Sequence, residues 1–146
     1  MIVYVESSAV LAWLLGEPTA GLVRRVLGSA ERVVSSSLTA VECARSLARG
    51  RALGRLGARD ELAALRLLDV ASRNWDVHEL SDRVLTRARM AFPVEPVRTL
   101  DALHLATALL FLEGLGRIGL LSFDERILAN AAPLGFDLTH SWEKSS

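Results

Sequence analysis

The chain has 146 residues, enough for one domain with a hydrophobic core of its own. Its 17 Lys plus Arg balance 17 Asp plus Glu, which excludes a generically basic nucleic-acid binder but leaves room for a local basic patch. No uncharged apolar run reaches the ~18–20 residues of a membrane-spanning helix, and an early Glu6 without a basic start is unlike a signal peptide.

Residues 2–5 (IVYV) read as a short buried strand that stops on Glu6. A charge at the end of a buried strand must be solvated, paired or bound to a cation. Residues 8–15 predict a helix, broken at Glu17-Pro18. Residues 20–28 predict a second, with Leu22, Val23, Val26 and Leu27 on one face. A brief strand over 32–35 leads into a long helix over 38–53. Gly54 and Gly57 mark a turn, and 60–72 form the return arm of a helical hairpin. Residues 75–79 fit a strand and 81–92 a helix, after which Pro93 and Pro96 force an extended loop. A helix over 99–113 closes at Gly114 and Gly116. A strand over 118–122, a helix over 125–132 and a last short strand over 136–138 complete the chain, and residues 142–146 form a frayed polar tail.

Strands alternate with helices and no β-hairpin signature occurs. This predicts a single α/β domain over 1–146, in three layers: a mostly parallel central sheet flanked by helices. The one cysteine, Cys43, reads as a small core residue rather than a nucleophile. A lone cysteine makes no internal disulfide, so a reducing, cytoplasmic compartment is expected.

Three of the acids have an ordinary structural explanation. Glu42 closes Thr39-Ala40-Val41-Glu42, a capping-box pattern, and Asp124 lies between Ser122 and Glu125, a second one. Asp101 in a first helical turn is worth ~0.3–1 kcal/mol through the helix dipole. Glu6 has no such role. In open parallel sheets ligands bind beyond the carboxyl ends of the strands. Glu6, Glu42 and Asp124 each follow a strand or open the next helix there, and Asp101 opens a helix after the proline loop. Carboxylates meeting at one edge repel one another, and a divalent cation resolves that. Mg²⁺ and Mn²⁺ suit oxygen ligands and keep waters for substrate phosphate; no His or Cys spacing suggests zinc.

These residues carry a resemblance that runs along nearly the whole chain. Glu6-Ser7-Ser8-Ala9-Val10-Leu11, Leu38-Thr39-Ala40-Val41-Glu42, Thr99-Leu100-Asp101-Ala102-Leu103-His104-Leu105-Ala106 and Leu121-Ser122-Phe123-Asp124 followed by Leu134-Gly135-Phe136 resemble the ordered acid segments of PIN-domain ribonucleases. The likeness is to the toxin half of VapBC-type toxin–antitoxin pairs. It implies a metal-dependent nuclease acting on single-stranded or structured RNA. Glu6, Glu42, Asp101 and Asp124 would hold one or two Mg²⁺ or Mn²⁺ ions, with Ser8 assisting at the first acid. It also implies an antitoxin partner whose tail blocks the site, and a homodimer. A hydrophobic fraction of 51% and a mean hydropathy of +0.30 suit both kinds of partner.

Glu6 departs from the family, whose first acid is usually Asp. The extra methylene allows three outcomes: an adjusted backbone with activity kept, a shift toward Mn²⁺, or a weak enzyme that mainly binds. The alternative function is therefore a catalytically impaired RNA- or protein-binding module. A phosphatase with an aspartyl nucleophile fits less well, because Glu6-Ser7-Ser8 stands where Asp-x-Asp would. Beyond the acids, His104 lies one turn after Asp101, supporting the site, touching RNA, or hydrogen-bonded at the core edge. Arg45 and Arg49 share a face with Glu42 and read as phosphate contacts or as a solvated face, with some arginines paired to Asp60 or Glu61. Arg98 could touch phosphate or pair with a site acid. Trp13, Leu14 and Leu15 read as core or as a partner groove.

Overall fold

Side-chain alternation along three short strands builds two cores, one on each face of a sheet. In this computed structural model, which describes residues 1–139, β1 (Ile2–Val5) turns Val3 and Val5 to one face and Tyr4 to the other. β2 (Arg32–Ser36) splits Val33 from Val34, and β4 (Ile118–Leu121) splits Leu121 from Ile118 and Leu120 in the same way. Strands buried on both sides have no polar face, which is why β1 and β4 read as continuous apolar runs, while β2 carries two valines and ends on buried Ser35 and Ser36.

β3 (Asp76–His78) and β5 (Asp137–Leu138) complete a five-stranded sheet of order β3-β2-β1-β4-β5, every pair parallel. β1 is central: Tyr4 lies opposite Val34 on one side and Leu120 on the other. Helices α1 (Ser7–Leu14), α2 (Ala20–Ser29), α3 (Ser37–Ala52) and α4 (Ala58–Ser72) cover the Val3–Val5 face through Ala9, Val10, Val23, Val26, Cys43 and Leu68. α6 (Thr99–Leu115) and α7 (Glu125–Leu134) cover the Tyr4 face, and α5 (Asp82–Ala88) packs on α6. The expected three-layer α/β architecture is therefore the observed one. Trp13 and Leu14 pack against the core while Leu15 is exposed. No helix among the described residues is long and apolar enough to cross a membrane. The tail over 142–146 lies outside the described residues.

Two helix starts differ from the sequence reading. Ser36, not Thr39, caps α3 by accepting from the Leu38 N–H at 3.1 Å, while buried Thr39 bonds Ser35 at 2.8 Å. Asp124, not Ser122, caps α7 through the Arg126 and Ile127 N–H groups at 2.9 and 3.4 Å. In both cases the hydroxyl that the capping pattern points to is bonded elsewhere in the fold, Thr39 to Ser35 and Ser122 to Glu6.

α5 also stops earlier than the expected residue 92, because side chains supply the bonds a longer helix would have made. Glu95 accepts from the N–H groups of Phe92 (3.0 Å) and Val97 (2.8 Å). Asn130, fully buried on α7, accepts from the Val94 N–H and donates to the Val94 carbonyl, both at 2.9 Å, and donates to the Arg126 carbonyl at 3.0 Å. The proline loop is thus clamped between α7 and the start of α6. Asn130→Ala removes the bonds of a fully buried amide to Val94 and Arg126, so in urea denaturation it should lower the unfolding free energy by about 0.5–1.5 kcal/mol for each bond lost. No measurable loss would mean the clamp contributes nothing to the fold.

Candidate active site

Parallel pairing brings the ends of β1 and β4 side by side, and the site grows from that edge. The Glu6 N–H donates to the Leu121 carbonyl at 3.0 Å, which carries the pairing one residue beyond β1. Glu6 then holds the N-cap position of α1 in an extended conformation, with its side chain buried. Its Oε2 accepts from Ser8 Oγ at 2.5 Å and from Ser122 Oγ at 2.7 Å. Each hydroxyl also accepts from the loop before α7: Ser8 from the Phe123 N–H at 2.8 Å and Ser122 from the Asp124 N–H at 3.0 Å. Two serines therefore tie the first acid to the backbone that presents the fourth.

Glu42, in the second turn of α3, is half-buried and uses Oε1. That oxygen accepts from Ser7 Oγ at 2.6 Å and from His104 Nε2. Burial pushes the Glu42 carboxyl up, but the hydrogen bonds from His104 and Ser7 and the nearby imidazole outweigh it, so it titrates below its ordinary value. His104, on α6, is 1% exposed and sits 2.8 Å from the Tyr4 hydroxyl through Nδ1. Burial, then the charges of Glu6 and Glu42, push the Tyr4 phenol well above its usual value, so it keeps its hydrogen. A Tyr4 hydroxyl that donates to Nδ1 leaves the imidazole hydrogen on Nε2, facing Glu42.

Asp101, in the first turn of α6, reaches back to the N–H of Arg98 at the helix cap. Its Oδ2 is buried and has no hydrogen-bond partner among the described residues. Burial raises its titration, and the charges of Asp124 and Glu6 raise it further; the Arg98 N–H and the Arg126 charge offset only part. Asp101, Asp124 and Glu6 are thus electrostatic neighbours, and ligand atoms of Glu6, Glu42 and His104 lie within 4.8 Å of one another.

A family model for the PIN domain matches residues 3–133. The chain belongs to the PIN-domain family. It is 37% identical over 133 residues to Ribonuclease VapC46 of Mycobacterium tuberculosis (strain ATCC 25618 / H37Rv), a match covering 91% of this chain and 92% of that protein. The crystal structure of Mycobacterium tuberculosis VapC20, described as a sarcin-ricin loop cleaving toxin, superposes with a TM-score of 0.63 at 21% identity, over 88% of this chain and 94% of its own. PAE2754 from Pyrobaculum aerophilum gives 0.62 at 21%, over 99% and 94%. These two structures share the fold.

The donor set of this PIN domain fits a hard divalent cation. It offers carboxylate oxygens, one of them a buried orphan on Asp101, and each glutamate is tied through a single oxygen. Among the other residues singled out in the sequence, Ser8 does contact Glu6. His104 is too buried to touch RNA and is a core-edge histidine bonded to the site. Arg98 meets Asp101 through its backbone N–H; its exposed side chain makes no ion pair with a site acid among the described residues. Arg45 is exposed and pairs with no described residue, while Arg51 bonds Glu61 at 3.2 Å. Glu42 is no capping residue; its carboxylate points to Ser7 and His104. Burial and the charges of Glu42 and Glu6 push the Cys43 thiol up to about 12, so it is no nucleophile near neutral pH.

Tyr4, Ser7, Ser122 and Arg126 were not singled out as site residues in the sequence. The hydroxyl beside Glu6 is visible there, but its partner 35 residues away is not.

Because Asp101 titrates above its ordinary value in the fold, the native state keeps its proton where the unfolded chain has lost it. Its contribution to stability therefore falls as pH rises from the ordinary aspartate range through the raised value, and at neutral pH the charged carboxylate is a net cost. Asp101→Asn keeps the shape and removes the charge. In EDTA its melting temperature should hold or rise, and a clear fall would show that the carboxylate is paired in the metal-free protein.

Proposed function

We propose that this PIN domain is a metal-dependent endoribonuclease toxin that hydrolyses RNA phosphodiester bonds at Glu6, Glu42, Asp101 and Asp124. The observation that carries the reading is the buried, unpartnered Asp101 Oδ2 beside two further acids. The ribonuclease name of the 37% identical relative supports it. Glu6 and Asp101, with Glu42 and Asp124, would hold Mg²⁺ or Mn²⁺. Such an ion, when bound, lowers the pKa of a water and offsets charge on phosphate and leaving oxygens.

The chain's own residues supply the rest. Ser8 and Ser122 orient Glu6 by donating to its Oε2, which leaves Oε1 for a cation. Asp124 spends Oδ1 on capping α7, which leaves Oδ2 to orient a water or accept its proton. The exposed guanidinium groups of Arg45 and Arg98 are free to meet RNA phosphates. Exposed Val41 on α3 and Leu62, Leu67 and Val70 on α4 offer apolar surface to a cognate antitoxin or to a second copy in a homodimer. A reducing cytoplasm suits the single, buried Cys43.

The test is cleavage of labelled mixed RNA in EDTA, Mg²⁺ and Mn²⁺. Wild-type protein should cleave only with metal. Asp101→Asn should lose more than the about 10–100-fold typical of removing a residue that merely supports a ligand. Cleavage that survives EDTA would refute the reading. Cleavage by Glu6→Asp alone would replace it with the binding-module reading, in which the longer first acid has silenced the nuclease. Arg45→Ala and Arg98→Ala should each weaken RNA binding and lower the salt slope by about 1, with an unchanged melting temperature. An unchanged slope in both would remove them from the RNA path.

A further inference from the structure

The two glutamates are held alike, each with two donors on one oxygen. For Glu6 the donors are neighbouring serines at the β1–β4 edge. For Glu42 they come from two different elements: Ser7 from α1 and His104 from α6, both nearly fully buried. Ser7 Oγ and His104 Nε2 also lie 3.0 Å apart, so they grip Glu42 Oε1 together. The imidazole is fixed in turn by the Tyr4 hydroxyl, itself inaccessible to solvent. An unrestrained carboxylate rotates and offers either oxygen; one with both donors on Oε1 offers Oε2.

We propose that Tyr4, His104 and Ser7 form a positioning relay for Glu42, in which Tyr4 keeps the imidazole proton on Nε2 and Nε2 with Ser7 Oγ hold Oε1, so that Oε2 faces the cation. The proposal rests on the metal-dependent reading above. It also gives His104 a role other than ligand. Its ligand atom lies close to those of Glu6 and Glu42, but in the relay Nδ1 accepts from Tyr4 at 2.8 Å and Nε2 donates to Glu42, and neither nitrogen then has a lone pair to give.

Mn²⁺ alone, titrated into the full chain and followed by electron paramagnetic resonance, tests this without RNA. His104→Leu and Ser7→Ala should each weaken Mn²⁺ binding by about 10–100-fold. His104→Gln, which retains an N–H donor at the reach of Nε2, should recover most of that loss. Melting in EDTA checks folding, and Ser7→Ala, which removes one hydroxyl, decides the matter if His104→Leu does not fold. Bound Mn²⁺ should show no electron spin-echo modulation from a directly coordinated imidazole nitrogen. If the His104 and Ser7 variants bind as wild type while Asp101→Asn does not, the relay is wrong and the metal site stands. A merely structural role would give that result, with only the melting temperature lowered. A coordinated imidazole nitrogen would overturn the relay by making His104 a ligand. If wild-type protein binds no Mn²⁺, the metal reading and the relay fall together.

Discussion

Glu6 puts a carboxylate at the desolvated end of the central strand, and much of the surrounding structure answers to that one placement. A lone buried charge of this kind costs several kcal/mol unless donors or a counter-charge meet it. Two serine hydroxyls meet it here. Both are themselves held by backbone N–H groups of the loop between β4 and α7, so the position of Glu6 and the position of Asp124 are mechanically one. Parallel pairing of β1 with β4 is what makes the arrangement reachable, since it sets Val5 opposite Leu121 and brings the carboxyl ends of both strands to the same edge.

The other acids are handled differently, and the difference orders the site. Glu42 is stabilised by buried donors and stays ionised; Asp101 is left with an orphaned oxygen and with the repulsion of Asp124 and Glu6. A fold that satisfies two carboxylates and leaves a third unsatisfied has put its strain where a cation would relieve it. The paired donors on single oxygens serve the same end, because they choose which lone pairs stay free.

Rigidity reaches the site from both cores. His104 belongs to the Tyr4 side of the sheet, where Ala102, Leu105 and Ala108 seat α6, yet it bonds Glu42 from α3 on the opposite side. Asn130 and Glu95 pin the proline loop that delivers Asp101. Glu42 and Asp101 thus lie on helices locked by packing, and Glu6 and Asp124 sit at helix caps tied together by Ser8 and Ser122, as tight positioning requires.

By itself the sequence determined the layered α/β architecture and the order of elements along the chain, and it marked four acids at element ends as candidates. These signals are local: apolar runs of strand length, helical periodicity between them, and carboxylates next to element ends. The resemblance to PIN-domain ribonucleases also marked Ser8 beside the first acid, and Ser8 does bond Glu6. The sequence misassigned Thr39 and Ser122 as caps, since a capping pattern is satisfied equally by hydroxyls that the fold employs elsewhere. Only the tertiary structure decided that His104 turns inward to Tyr4 and Glu42 and that Arg98 meets Asp101 through its backbone. Ser7 reaches across 35 residues for the same reason. Hydrogen-bond partners of that kind are chosen by how strands and helices pack across the sheet, and no spacing along the chain encodes that choice.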